Sequence, residues 1–478
     1  MSTGIATRAS GNPIPRGSKR YVSRRRGTLA TALLFALIAP GMALAQHSQG
    51  SSAKEKELEA RVAQLEQMVQ QLMAQQQQTQ VQVEQVRTAQ TQPAATDGKP
   101  KIQSTPIMTA ANPGTTFSYG GFVKLDAMYT DTTDGEIADG SVGRMFYVPS
   151  TIPVGGVAED EGDLDFHAQF SRFWFAADTT LDSGDKLKGY LEFDLFGGGN
   201  NAFLGNEIAT NTHGVTLRQA YVTWNKWLAG QTWSNFQDVA ALPDAVDFIG
   251  PTEGTTFVRQ AQLRYTSGPW SFSVENPETT ITPYLNLGSR ISSDDNSVPD
   301  FTARWLKKGG WGHFTVAALV RQFKYQDVAT NRDDSETGAA LSVSGKWNVS
   351  KTDDLRFMAT AGRGVGRYLG LGLATDTVMA ADGSLEPIDG YGAFAAWRHA
   401  FSPKWRSNVF YSMAHFDNDA ALTGFAVTER AQSWHFNLIY SPFPKLDIGT
   451  ELIWGQRSLE GEADGDLRRI HTHVKYSF

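Results

Sequence analysis

The chain contains no cysteine. That absence excludes a disulfide framework, a thiolate metal site and a cysteine nucleophile. Beyond the first 45 residues it also lacks any apolar run of about 18 residues, so no spanning helix is expected. Acids are missing where bases concentrate: residues 1–45 hold seven Lys or Arg and no Asp or Glu. The formal charge of the 478 residues is −7, so removing those seven positive charges leaves the remainder near −14. A chain that acidic is a poor candidate for binding nucleic acid. Hydrophobic residues make up 41%, as in many soluble proteins. A transmembrane barrel has the same look, because only alternate strand residues face lipid.

What is present begins with a leader. Arg16, Lys19, Arg20 and Arg24 to Arg26 precede an apolar stretch, residues 29–39, too short to span. Ala43-Leu44-Ala45 then supplies a small-residue cleavage signal, which leaves Gln46 as the mature N-terminus. Residues 1–45 are read as a signal peptide. In residues 46–87 the period is helical. Leu58, Val62, Leu65, Val69, Leu72, Gln76, Thr79, Val83 and Val86 are spaced four and three in alternation, a coiled-coil seam. β-branched residues at one seam position with Leu at the other favour a dimer of such helices. Residues 88–116, rich in Thr, Ala, Pro and Gln, read as a flexible linker.

From Phe117 to Phe478 the period is two. Phe117, Tyr119, Val123, Leu125 and Tyr129 share one face, and Ser118, Lys124, Asp126 and Thr130 the other. The pattern recurs in residues 186–196, 312–323, 432–441 and 445–455. In the last run Ile470, Thr472, Val474, Tyr476 and Phe478 alternate with His471, His473, Lys475 and Ser477. Sixteen strands are expected, starting near 117, 164, 186, 215, 227, 257, 270, 300, 311, 336, 353, 390, 404, 430, 445 and 467. An even number closes an antiparallel barrel with both ends on one side. Short links read as periplasmic turns. Long polar stretches (131–160, 197–214, 278–299, 374–389) read as external loops. The fold expected is therefore a sixteen-stranded antiparallel transmembrane β-barrel, all-β, preceded by a periplasmic coiled-coil helix.

If the apolar face meets lipid, the other face lines a lumen. Lys124, Arg218, Arg264, Arg304, Arg321, Arg356 and Arg406 fall there, with Glu192, Asp194 and Glu451 as acidic counterparts. Arginines in a narrow wet lumen attract anions and grip carboxylates bidentately. The alternative is that these charges pair with one another and only keep the lumen wet. One loop, about 233–256, is too apolar for an external position and is expected to fold inward. It carries Asp238 and Asp247 and returns to the wall at Arg259. These ten residues are the candidate pore-lining and solute-binding set.

Other motifs carry less. His471 and His473 lie two apart on one strand face, but nothing points to a third metal ligand, so a pore-lining pair is expected. The acidic run 131–136 is read as loop solvation, and Gly362-Arg363-Gly364-Val365-Gly366 lacks the strand–helix context of a phosphate loop. No cofactor is expected.

The run Tyr119-Gly120-Gly121-Phe122-Val123-Lys124-Leu125-Asp126 carries a family likeness. So do Gly230-Gln231-Thr232-Trp233, Arg259-Gln260 with Arg264, Arg367-Tyr368 and the terminal strand. Residues 230–264 resemble the constriction-loop region of trimeric porins, and the assembly as a whole resembles the DcaP-like porins. That resemblance implies a homotrimer in the outer membrane of a Gram-negative cell. It also implies passive uptake of small hydrophilic solutes, with a preference for anions such as dicarboxylates. Outer-membrane lipid would surround the barrel, and the coiled coil would be free to meet peptidoglycan or a periplasmic partner. Two other functions stay open: a barrel enzyme, lipase or protease, and a structural tether to the cell wall.

Overall fold

A computed structural model describes residues 105–109, 114–156, 162–197, 211 and 213–478. The expected signal peptide, the coiled-coil helix and most of the linker lie outside the described residues. The alternating residues from 115 onward form a single closed sheet of antiparallel strands. These are β1 (Thr115–Thr132), β2 in two halves (Asp163–His167 and Arg172–Thr180), β3 (Lys186–Gly197) and β4 (Gly214–Trp224). Next come β5 (Trp227–Trp233), β6 (Arg259–Ser267), β7 (Trp270–Glu275) and β8 (Asp300–Gly309). The second half holds β9 (Gly312–Asp327), β10 (Arg332–Asn348), β11 (Asp353–Arg363) and β12 (Asp389–Ala400). It ends with β13 (Trp405–Asp417), β14 (Thr428–Tyr440), β15 (Leu446–Leu459) and β16 (Asp464–Ser477). Each strand pairs with the next, and β16 pairs with β1 from Ser477↔Phe122 to Leu467↔Thr132. The sheet thus has no free long edge, which is what a strand structure needs in lipid. All sixteen expected strands are present, each starting within four residues of its expected place.

Burial is inverted relative to a water-soluble protein. On β16, Ile470, Val474 and Tyr476 are about half exposed, whereas Arg469, His471 and His473 are almost completely buried. The same alternation on β1 exposes Val123 and Leu125 and buries Lys124 and Asp126. A belt of exposed apolar side chains this continuous exceeds any surface patch tolerated in water. Trp224, Trp227, Trp270, Trp311, Trp347, Trp397 and Trp405 are exposed at strand ends on the side of the short turns. They form the aromatic girdle expected at a membrane interface.

Two elements depart from expectation. The linker contains a strand, Thr105–Thr109, paired with β1 from Thr105↔Tyr119 to Thr109↔Thr116. The cause is local: β16 pairs with β1 only as far as Phe478 opposite Gly121, and below that point no wall strand among the described residues meets this edge. An unpaired edge recruits any available strand. The second departure concerns the loops read as external. Parts of 133–162 and 364–388 turn inward, burying Phe146, Tyr147 and Ile152 from one and Val365, Tyr368 and Leu369 from the other. Thr377–Met379 of the latter pairs in parallel with Thr279–Thr282, making a small sheet with Ile291–Ser293 and Leu385–Pro387.

Candidate functional site: the constriction of the lumen

Residues 234–258, between β5 and β6, leave the wall and line the lumen. Local chemistry dictates the departure. The Asn235 amide donates to Glu275 (2.8 Å), and its side chain donates to Thr302 (3.0 Å), so the chain is held inside from its first turn. Asp238 caps the short 3-10 turn Val239–Ala241 by accepting from the Ala240 amide. The same carboxylate accepts from His313 of β9 (2.9 Å) and Ser344 of β10 (3.0 Å). Arg356 of β11 donates to the Leu242 carbonyl, and Arg406 of β13 donates to Asp244 (2.5 Å). The Val246 amide donates to Glu451 of β15 (2.7 Å), and its carbonyl accepts from Lys124 of β1 (2.9 Å). Asp247 caps the amides of Ile249 and Gly250. On the way back Tyr147 and Ser433 donate to Glu253, the Gly254 amide donates to Ser412 (2.9 Å), and Thr256 bridges to Leu369. The loop is therefore tied to more than half of the circumference.

The carboxylates of this loop are anchors, not free charges. Burial alone would raise Asp238, but the His313 bond and the Arg304 charge outweigh it and hold the group down to about 2. Asp247 is also buried, yet His471 and the Tyr147 amide keep it well below the ordinary carboxylate range. Glu253 goes the other way: burial dominates and raises it, despite the bond from Tyr147.

The ten candidate residues separate into two groups. Arg259, Arg264, Arg304, Arg356 and Arg406 face the lumen and stay partly exposed. Arg356 and Arg406 have carboxylate partners, Asp354 (2.7 Å) and Asp244 (2.5 Å), and Arg304 meets Asp238 at 3.5 Å. Arg259 and Arg264 make no salt bridge among the described residues; Arg259 lies 5.0 Å over the Trp233 ring, and Arg264 donates to the Trp233 carbonyl. Lys124, Arg218, Arg321, Asp238 and Asp247 are buried. Their expected place on the open lumen surface is corrected: inward loops cover Lys124, Arg218 and Arg321, and Asp238 and Asp247 lie on the constriction loop itself, turned against the wall. Arg321 shows why: it is clamped on Asp376 (2.7 Å) and Asp300 (3.6 Å) under residues 364–388. Arg218 is turned inward by a bulge, since Glu192 pairs with Gln219 and Phe193 with Leu217, and it then bonds Glu192 (2.9 Å) and Asp194 (2.7 Å). His471 and His473 are likewise covered by the loop and do not line the lumen.

Sequence reasoning missed several participants. Arg172 joins Arg218 and Arg259 around Trp233 and Phe248, with its guanidinium 5.9 Å from the Phe248 ring. Phe248 stacks on Phe170 at 4.4 Å, beside Phe146 and Phe196. Strand alternation from 164 puts Arg172 on the outer face with Leu164 and Phe166, and the break between the two halves of β2 reverses that phase; nothing in the sequence pairs Phe248 with Phe170. Lys346 and Arg398, which were missed, join Lys475, which alternation places inside, in extending the basic ring on the side of the short turns, facing Asp354 and Asp447. Ser433, His435 and Glu451 have the spacing of a hydrolytic triad (3.2 and 2.8 Å). All three are fully buried, and the Ser433 hydroxyl donates to Glu253. They brace the loop and offer no reachable nucleophile.

A closed barrel, apolar outside and polar within, with a loop across its lumen, defines an integral outer-membrane channel of the Gram-negative type. The family model of the DcaP outer membrane protein matches residues 42–268. Among solved structures, the outer membrane channel DcaP of Acinetobacter baumannii aligns at 25% identity, over 77% of this chain and 99% of that one, with a TM-score of 0.62. The chain is similar to the DcaP outer-membrane channels across those spans. OmpT of Vibrio cholerae (11% identity, 77% and 99% coverage, TM-score 0.45) and OmpF of Salmonella typhi (12%, 78% and 100%, 0.46) are more distant. Comparison with curated proteins finds no match.

Proposed function

We propose that this channel passes small hydrophilic solutes passively as a homotrimer and favours anions, dicarboxylates among them. The observation that carries the reading is an excess of cations on the lumen wall. From β6 round to β16, Arg264, Arg304, Lys346, Arg356, Arg398, Arg406 and Lys475 face Asp238, Asp244, Asp354 and Asp447. Seven positive groups meet four carboxylates there. Arg259 and Arg264 make no salt bridge among the described residues; Arg264 spends Nε and Nη2 on Gln262 and the Trp233 carbonyl, so the charge of both guanidiniums is left uncompensated toward an anion passing the loop. A narrow, low-dielectric passage focuses that surplus, and the net negative charge of the chain as a whole does not cancel it locally. The reading is tested by the reversal potential of the purified protein in a planar bilayer under a KCl gradient. The wild type is expected to favour chloride. Arg264→Ala with Arg304→Ala is expected to move the potential toward the potassium value. An unchanged potential in that double variant would sink the assignment.

A further inference from the structure

The tip of the constriction loop is fastened to the wall by an ionisable cluster that the permeation reading does not use. Its centre is His471 on β16, fully buried. The Nε2 of His471 lies 2.8 Å from the Asp126 carboxylate of β1, and its Nδ1 lies 3.4 Å from the Asp247 carboxylate of the loop. A neutral imidazole has one N–H and one lone pair. Only the doubly protonated ring presents a donor to both carboxylates. The other nearby histidines differ in this respect. His473 faces the Val246 carbonyl through Nδ1 (3.3 Å), and His435 faces Glu451 through Nδ1 and the Ser433 hydroxyl through Nε2. His473 engages one ring nitrogen only, its Nε2 being buried without a partner, and His435 meets a single carboxylate; neither stands between two carboxylates.

We propose that His471 is the positioning residue that sets the aperture, by bridging Asp126 in the wall to Asp247 in the loop while it carries its second proton. When that proton leaves, one ring nitrogen turns a lone pair toward a carboxylate. Asp126 keeps Lys124 at 2.8 Å, so the longer contact, to Asp247, is the one that fails. Asp247 also holds the Tyr147 amide (2.9 Å) and the amides of Ile249 and Gly250. Its release therefore frees the apex that carries Phe248. The charged and titratable groups facing this bridge are Lys124 and Asp126 on β1, His167 on β2, and Arg469, His473 and Lys475 on β16. His435 on β14, Glu451 on β15 and Tyr147 of residues 133–162 complete the surroundings.

The inference rests on the chain being a channel, not on which ion it prefers. Single-channel currents of the full mature protein are recorded at steps between about pH 5 and pH 8, where a histidine changes charge. The wild type is expected to conduct quietly at the acid end and with a larger, fluctuating current at the alkaline end. His471→Gln should show the alkaline behaviour throughout, and His471→Lys, with a permanent charge, the quiet behaviour throughout. If His471→Gln fails to assemble, Asp247→Asn on the loop should give the alkaline behaviour instead. A wild-type current independent of pH overturns the proposal, as does a His471→Gln or Asp247→Asn channel that keeps the wild-type profile. A protein that never conducts overturns both this role and the channel reading, whereas a change in ion preference alone leaves the role of His471 standing.

Discussion

Arg321 faces inward by strand alternation and Arg259 enters the lumen where the loop rejoins the wall, yet they do different work. Arg321 is enclosed between Asp300 and Asp376, and its guanidinium also lies over the Tyr368 ring at 5.2 Å. Removing one partner from a buried ionic cluster leaves the others uncompensated and costs about 3–5 kcal/mol. Arg321→Ala is therefore expected to lower the urea midpoint of unfolding while leaving ion preference unchanged. Arg259→Ala, with no carboxylate partner to abandon, is expected to reverse that pattern: little change in midpoint, and a reversal potential moved toward cations. Paired denaturation and bilayer measurements check both. Alternation assigns Arg321 to the inside, whereas Arg259 has the parity of the outward Ala261 and Leu263 and is turned in where the loop joins β6. Alternation could not say that residues 364–388 fold over one of them and leave the other open, because that depends on contacts such as Arg321 with Gly364 and Asp376, 43 and 55 positions apart.

The element that matters most is the loop of residues 234–258. Its inward path was legible from composition, since Phe236, Leu242, Val246, Phe248 and Ile249 are too apolar for an external loop. Its destination was not legible. Gly254 lies so close to β12 that a Cβ there would overlap the Ala393 backbone. Any side chain at 254 must push the returning arm off the wall. Gly254→Val is expected to break the bond from the Gly254 amide to Ser412 and alter single-channel conductance, with far-UV circular dichroism unchanged. A variant channel with wild-type conductance would show that the arm does not need this close approach. The linker teaches the reverse lesson. Its composition suggested only a flexible spacer, and the strand Thr105–Thr109 forms because β1 offers an unpaired edge below Phe478. A strand induced by its neighbour leaves little trace in its own residues.

At the scale of the whole molecule, the inverted burial and the tryptophan girdle fix the environment as a membrane, and closure of β16 on β1 makes the barrel a single cooperative wall. The proposed homotrimer is expected to appear in bilayers as conductance gained in three equal steps per insertion event, and a single step would contradict it. The heptad of residues 46–87 by itself favoured a dimer. Barrel walls bury far more surface than a Gln-rich helix can, so the wall is expected to decide the number of copies.

The sequence by itself determined the number of strands, the face that most wall residues present and the closing position of the last strand. Those properties follow from periods of two and from local composition, which act over a few residues. Only the tertiary structure decided which arginines remain open to solute, that two further loops join the constriction, and that His471 stands between two carboxylates. Those depend on charges brought together from opposite sides of a barrel. Asp126 and His471 are 345 positions apart in the chain and 2.8 Å apart in the wall. No local pattern encodes such a pairing; closure of the sheet creates it.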